Sequence, residues 1–384
     1  MSIKSTLTIG ILLLTSIKLS AINDSAKPKF FINEIATSFA IGSNHLNSFA
    51  ALPFIFRGNI NQKNIEKSTV LLMAKNRTGI IANAGIKFSV QEYNFSINSA
   101  LYSGFSYSKD FFLLLFKGNS QSAGKVLNLG MNGKQIGFYT LQYIHKNINY
   151  KNKWQLQIAP EVYVINNYAS IKTKGKNTLF TSENGQNIIA ELNYNAYQNT
   201  NAISGFGFGS SFLAYKIEGN KISSWRVKNL GISLLPNNLR VFSQDTNWNY
   251  SGFNFTLGQN FSVASRADSL RRLLYIESRQ RNRITMMPIQ ISYGIEDVKK
   301  IISFNYMAMP GYLPQISYMK KLFKANHRID IGAQMGGWSL LNSKFGLSTQ
   351  LNKQKQQKLV LEIIGIESLL INYPGFGACL KINW

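Results

Sequence analysis

Residues able to do acid–base, nucleophilic or metal chemistry are few in this chain and far apart. The histidines are His45, His145 and His327, the one cysteine is Cys379, and the six aspartates are scattered. No His-x-x-x-His pair occurs, and a single thiol cannot build a disulfide scaffold, a Cys-rich zinc centre or an iron–sulfur site. A hydrolase would need a serine beside an activating His base. The contexts His45-Leu46-Asn47-Ser48, His145-Lys146-Asn147 and His327-Arg328-Ile329 lack the His-x-Ser strand arrangement of barrel phospholipases. Gly205-Phe206-Gly207-Phe208-Gly209 contains G-x-G-x-G, but the run continues as a strand and opens no helix, which leaves nucleotide binding unsupported. The expectation is a protein with no enzymatic activity, no cofactor and no metal.

Charge is the next candidate for function. Lys and Arg number 42 against 17 Asp and Glu, a net +25 over 384 residues. These cations are dispersed, and residues 351–358 read as one polar turn, so nucleic acid is not an expected partner. Basic loops beside lipopolysaccharide phosphates would be favourable. Apolar residues make up 45% of the chain and charged ones 15%, enough apolar surface to exclude wholesale disorder.

Residues 1–21 read as a cleaved secretory signal. Lys4 supplies the positive start, Leu7 to Ile17 the apolar run, and Leu19-Ser20-Ala21 the cleavage site. That run is shorter than the ~20 residues of a membrane helix, and no later stretch reaches such a length. The strongest later block is Phe111-Phe112-Leu113-Leu114-Leu115-Phe116. An exported chain without a membrane helix is either soluble or a barrel in an outer membrane.

Alternation decides between them. Trp154, Leu156, Ile158, Pro160, Val162 and Val164 share one parity, as do Ile329, Ile331, Ala333 and Met335. Met287, Ile289, Ile291, Tyr293 and Ile295 form a third such run, and Tyr93, Phe95, Ile97, Leu101, Phe105 and Tyr107 a fourth. Phe206, Phe208 and Phe212 face away from Gly205, Gly207, Gly209 and Ser211. Runs of about nine to eleven residues suit tilted membrane-crossing strands better than strands of soluble sheets. The second face carries Gly, Ser, Asn and Gln, as a polar lumen would. Aromatics near strand ends, namely Trp154, Tyr168, Trp225, Trp248, Tyr312, Trp338 and Tyr373, suit interfacial girdles. Polar stretches at 58–69, 117–134, 172–187 and 236–249 read as loops.

The end of the chain repeats the pattern. Phe376, Ala378, Leu380, Ile382 and Trp384 are apolar, while Gly377, Cys379, Lys381 and Asn383 between them are small or polar. This resembles the terminal strand signal that the outer-membrane assembly machinery recognises, and implies that machinery as a partner. One interval breaks the alternation: residues 263–279 place Leu270, Leu273, Leu274 and Glu277 at helical spacing, with Arg266, Arg271, Arg272 and Arg279 as a basic flank. The expected element is a short amphipathic helix that covers a barrel mouth or meets lipid phosphates or a partner.

Several pieces of the second half occur in a recognisable order: Gly205–Gly209, Arg226-Val227-Lys228-Asn229-Leu230-Gly231-Ile232, Tyr250-Ser251-Gly252, Asp268-Ser269-Leu270, Met287-Pro288 and Pro310-Gly311-Tyr312-Leu313-Pro314. Over residues 200–384 the chain resembles an uncharacterised family of bacterial outer-membrane barrels grouped under a domain of unknown function. That family looks distantly like fatty-acid-transporter-type barrels and barrels that accompany type IX secretion. The resemblance implies a fold and a location, and no active site.

The reading is therefore an all-β chain: after the signal peptide, residues 22–384 form a single antiparallel transmembrane β-barrel of roughly 12–16 strands, with one helical insertion at 263–279. Bacterial outer membrane is the expected location and membrane lipid the expected surroundings. Two functions are open: a conduit for a small hydrophobic solute, or a structural barrel that docks secretion or envelope partners without transport.

Overall fold

The computed structural model describes residues 30–46, 66, 68–117, 122–145, 147–150, 153–184, 187–199, 202–250, 277–324, 326–352, 357–367 and 375–384. Its elements begin with β1 (Phe30–Ser43), β2 (Lys75–Val90), β3 (Tyr93–Ser108) and helix α1 (Lys109–Lys117). β4 (Val126–Asn128), β5 (Met131–Ile144), β6 (Ile148–Tyr150), β7 (Trp154–Thr173), β8 (Thr178–Thr181) and β9 (Ile188–Asn199) follow. Next come β10 (Gly205–Glu218), β11 (Lys221–Tyr250), β12 (Glu277–Met286), β13 (Gln290–Glu296) and β14 (Lys300–Met307). The chain finishes with β15 (Leu313–Lys324), β16 (His327–Gly337), β17 (Leu341–Asn352), β18 (Gln357–Ile364) and β19 (Phe376–Asn383).

Every pairing is antiparallel, and β1 bonds to both β2 and β19, which closes the sheet. The closed wall has 14 strands, in the order β1, β2, β3, β5, β7, β10, β11, β13 to β19 and back to β1. Closure satisfies the backbone groups that hydrocarbon could not. The remaining strands extend the wall. β9 continues the line of β10 along β7 and β11, and β12 continues the line of β13 along β11.

Outward parity is apolar, as the alternation requires. One row runs across nine adjacent strands as Leu359, Ile382, Ile35, Ile86, Ile97, Leu141, Val162, Phe208 and Ile232. A cation in the middle of such a belt would cost ~2–4 kcal/mol, falling to ~0–1 near the interface. Accordingly, the outward Lys216 and Lys320 sit beside the strand ends at Glu218 and Lys300.

The two rims differ. At one, Gln91-Glu92, Gly219-Asn220 and Asp297-Val298-Lys299 are tight turns, and both ends of the closed sheet meet there. In the last of these turns Asp297 Oδ1 accepts the backbone N–H groups of Lys299 and Lys300 at 2.7 and 2.8 Å, which holds its carboxyl below the usual range. At the other rim β1, β3 and β11 end, at Ser43, Ser108 and Tyr250, and the chain is long between each of these ends and the next wall strand.

Two expectations change, and one block finds its place. Residues 236–249 are strand, because β11 runs on to Tyr250 paired with β9. The Met287–Ile295 run is broken: residues 287–289 leave the sheet, and Met287 turns inward and is buried. The Phe/Leu block at 111–116 is helical and lies within α1.

Candidate functional site in the barrel lumen

Opposite the apolar row runs an inner row, Glu34, Lys87, Ser96, Gln142, Glu161 and Gly209. All of these but Gly209, together with Asn98, Gln157, Arg226, Lys228, Gln290 and Lys381, line a chamber of ≈ 320 Å³ that also takes in apolar groups such as Phe138 and Leu213. Glu34 bridges Lys87 and Lys381 at 3.1 and 2.7 Å. Glu161 is buried and accepts hydrogen bonds from Gln142 Nε2 at 2.8 Å, the Ser211 hydroxyl and the Tyr163 hydroxyl.

Towards the long-loop rim the lumen becomes apolar. Tyr102, Ile136, Phe138, Tyr163, Ile165 and Tyr168 from the wall meet Leu235, Met287, Met307, Met309 and Trp338 in one buried cluster. Three of its members come from connections rather than strands: Met287 from the break between β12 and β13, Met309 from the β14–β15 loop and Trp338 from the β16–β17 loop. Trp338 is 4% exposed. Its indole N–H donates to the Pro310 carbonyl at 3.1 Å, and its own carbonyl accepts Arg77 Nε at 3.2 Å. Tyr312 meets the indole edge-on, 5.0 Å between centroids.

Room for Trp338 is made by glycine. A Cβ on Gly79 would lie 1.9 Å from the indole Cε2, and one on Gly104 3.2 Å from Cζ2. Gly336 and Gly337 turn the loop inward with φ of +103° and +71°, a region that favours residues without a Cβ. A second seam is set by Asn229, at φ +57°, whose side-chain amide donates to the Pro288 carbonyl at 3.2 Å. It ties the bulge of β11 to the break between β12 and β13.

Across the rest of the inner face, on β13 to β18, several charges are paired, while Lys358 stands beside Arg328 with no ion pair among the described residues. Glu296 joins Lys321 at 2.6 Å and Arg328 at 3.2 Å, Arg328 also reaches Asp330 at 2.9 Å, and Lys344 pairs with Glu362 at 2.9 Å.

Outside the wall, α1 covers the shoulder of β1 to β3. Phe112 packs with Ile41, Leu46 and Tyr107. His45, just past β1, is buried there between the Tyr107 hydroxyl at 3.2 Å and the Ser43 hydroxyl at 3.4 Å, and burial pushes its imidazole down to about 4. This Ser/His contact has no opening to a substrate, with both residues 1% exposed. Among the described residues no group of three or more His, Cys, Asp or Glu is assembled to hold a metal.

Phe376, Ala378, Leu380 and Ile382 lie on the outward parity of β19, with Gly377, Cys379 and Lys381 inward. The Trp384 N–H donates to the Asn33 carbonyl at 3.0 Å, which carries the last pairing to the chain end. Arg266, Arg271 and Arg272 lie outside the described residues, as does the signal sequence. Glu277 to Arg279, the end of the expected helix, are strand, paired with Ser243, Phe242 and Val241. Backbone pairing to a neighbouring strand replaces helical bonding there.

Sequence reasoning placed Tyr168, Tyr312 and Trp338 in an interfacial girdle. All three instead belong to the lumen cluster. The Gly336-Gly337 pair before Trp338 was the available signal. Arg226, Lys228 and Glu161 stood on the polar parity without being singled out.

No family model matches the chain, and no curated protein does. Solved structures that align with it include the toluene transporter TodX of Pseudomonas putida, at TM-score 0.38 and 8% identity over 92% of this chain and 87% of that one. A TodX monoaromatic hydrocarbon channel mutant aligns at TM-score 0.40 and 6% identity over 93% and 89%. The outer-membrane protease OmpT of Escherichia coli aligns at TM-score 0.21 and 6% identity over 94% and 97%. Scores this low define neither a family nor a substrate.

Proposed function

We propose that the chain resides in the bacterial outer membrane, delivered there by a cleaved signal and the assembly machinery that reads β19, and works as a gated conduit for small hydrophobic solutes. One observation carries this reading: the apolar cluster in the lumen is built by loops as well as by the wall. Met309, Tyr312 and Trp338 enter from two short connections at the long-loop rim. Loops move at lower cost than wall strands, which share ladder hydrogen bonds on both sides. A septum of methionine and aromatic groups suits apolar cargo, since a polar solute would shed its hydration to pass it. Methionine, unbranched and adaptable, repacks around varied shapes.

The test is uptake of an apolar fluorescent probe by cells with an intact outer membrane. Expression of the chain should speed uptake, and Trp338→Ala should speed it further. Equal rates in cells with and without the chain overturn the proposal. That outcome would favour the other reading, a scaffold barrel, for which the blocked lumen and the paired inner charges of β13 to β18 speak.

A further inference from the structure

Arg226 and Lys228 stand two residues apart on the inner parity of β11, their Cα atoms about 6.6 Å from one another along the strand. Both line the chamber, and both are exposed although they point into the barrel, because what they face is the cavity. Neither forms an ion pair with a described carboxylate. The two carboxylates of the chamber are already engaged: Glu34 by Lys87 and Lys381, and Glu161 by Gln142 and two hydroxyls. Four cations thus share the chamber with two anions. This contrasts with β13, β15 and β16, where Glu296, Lys321, Arg328 and Asp330 neutralise one another at contact distance.

Glu34 and Glu161 act on this pair only from beyond contact distance, and an excess of like charge inside a narrow, low-dielectric wall focuses a positive potential into the cavity. Such a pair is stable when a mobile anion answers it. A guanidinium offers a planar fork to two oxygens of one oxyanion, and an ammonium adds a point charge. Neutral donors stand in the same wall, the side-chain amides of Asn98 and Gln290; each donates once already, to the Ser96 hydroxyl and to Met307 Sδ respectively, and each carries a second N–H. Monovalent halide would meet the charge without using the fork or the amides.

We infer that the chamber holds a compact oxyanion of phosphate size and charge between Arg226 and Lys228. The site does not depend on conduction; it would bind whether the septum opens or stays shut.

The experiment is isothermal titration of the detergent-solubilised full chain with inorganic phosphate, and separately with chloride at matched ionic strength. Phosphate should bind saturably and chloride should not. R226Q and K228Q should each weaken phosphate at least tenfold, and the double variant should show no saturable binding. K320Q removes a cation from the outer face and should leave the affinity within twofold of the parent. Each variant is first checked for the heat-dependent shift in gel mobility that marks a closed barrel, and K228R, which keeps the charge, serves where K228Q fails to close. For K228R the proposal requires binding within threefold of the parent. Phosphate binding that survives the double substitution, equal heats from phosphate and chloride, or an equal loss in K320Q would each overturn it. A null result in probe uptake with intact phosphate binding would refute the conduit and leave this site standing.

Discussion

Gly79 and Trp338 form a pair whose energies depend on each other in a way that can be worked out in advance. A methyl group on Gly79 would sit 1.9 to 2.2 Å from three ring atoms of Trp338, against an optimal carbon–carbon separation of about 3.5–4.0 Å. Gly79→Ala must therefore push the indole from its shelf by well over an ångström. Overpacking of a filled core costs ~1–3 kcal/mol, and the upper end applies here because the clash is with a rigid ring. Trp338→Ala removes the same indole outright, at ~3–5 kcal/mol for a buried aromatic. At about 1.4 kcal/mol per tenfold, 3 kcal/mol raises the population of the open septum roughly a hundredfold. In the Trp338→Ala background the clash is gone. Gly79→Ala then only narrows the unfolded ensemble, which stabilises by ~0.4–1 kcal/mol. The substitution should change sign between the two backgrounds, with a coupling energy of ~2–4 kcal/mol obtained by adding the two effects. Urea unfolding of the four proteins in detergent, followed by loss of the heat-dependent mobility shift, measures the cycle, and single-channel recording measures leak. If Gly79→Ala destabilises both backgrounds alike, Trp338 does not rest on Gly79 and the septum argument fails.

Two further outcomes follow from the same geometry. Asn229→Ala should cost ~1–2 kcal/mol in the same unfolding assay, from one lost buried hydrogen bond to Pro288 and a non-glycine residue held at positive φ; Asn229→Gly should recover part of it. His45 should make the shoulder under α1 acid-sensitive. Its unfolded value near 6.5 exceeds the folded value of about 4, so the opened form takes up the proton. Stability from burying the neutral ring is complete above pH ~6.5 and declines as pH falls towards 4, by up to ~3 kcal/mol locally. Hydrogen–deuterium exchange in peptides covering residues 41–46 and 109–117 should accelerate between pH 7 and pH 4.5, beyond the intrinsic pH effect on exchange; unchanged protection would contradict the burial.

How much of this was readable depended on what each residue faces. Lipid is uniform, so every wall strand must answer it with the same parity, and Ile35, Ile97, Val162, Phe208 and Ile382 announce themselves without knowledge of their neighbours. The terminal strand is legible for that reason. Elsewhere the polarity of a segment misleads. Residues 236–249 are polar enough to look like a loop, yet they pair with β9 for twelve residues from Leu239 to Tyr250. Inside the barrel the sequence is more ambiguous still. An aromatic at a strand end reads the same whether it meets headgroups, as a girdle does, or folds into the lumen, as Tyr168, Tyr312 and Trp338 do. Only contacts between distant segments separate the cases, and Trp338 meets Gly79 across more than 250 residues of chain. The same holds for charge: Lys344 and Lys228 share the inner parity, and nothing local shows that Glu362 meets one while no carboxylate meets the other.

Wall number explains why a septum of this kind exists at all. Barrels of about eight strands can be filled by their own inward side chains, and those of 16–18 leave an aqueous channel. With 14 strands the interior is too wide for wall residues alone to close and must be filled from elsewhere or left wet. This chain does both, at different heights. Near the short turns, where connections such as Gly219-Asn220 are too brief to reach inward, the lumen keeps a cavity lined by charged groups, Glu34, Lys87 and Lys381. Near the long-loop rim, the connections carrying Met309 and Trp338 fold in and meet Tyr102, Phe138 and Tyr163 from the wall. The apolar cluster is therefore held by the packing of short connections on one glycine shelf, and under the proposed gated conduit it opens without parting a strand of the cylinder.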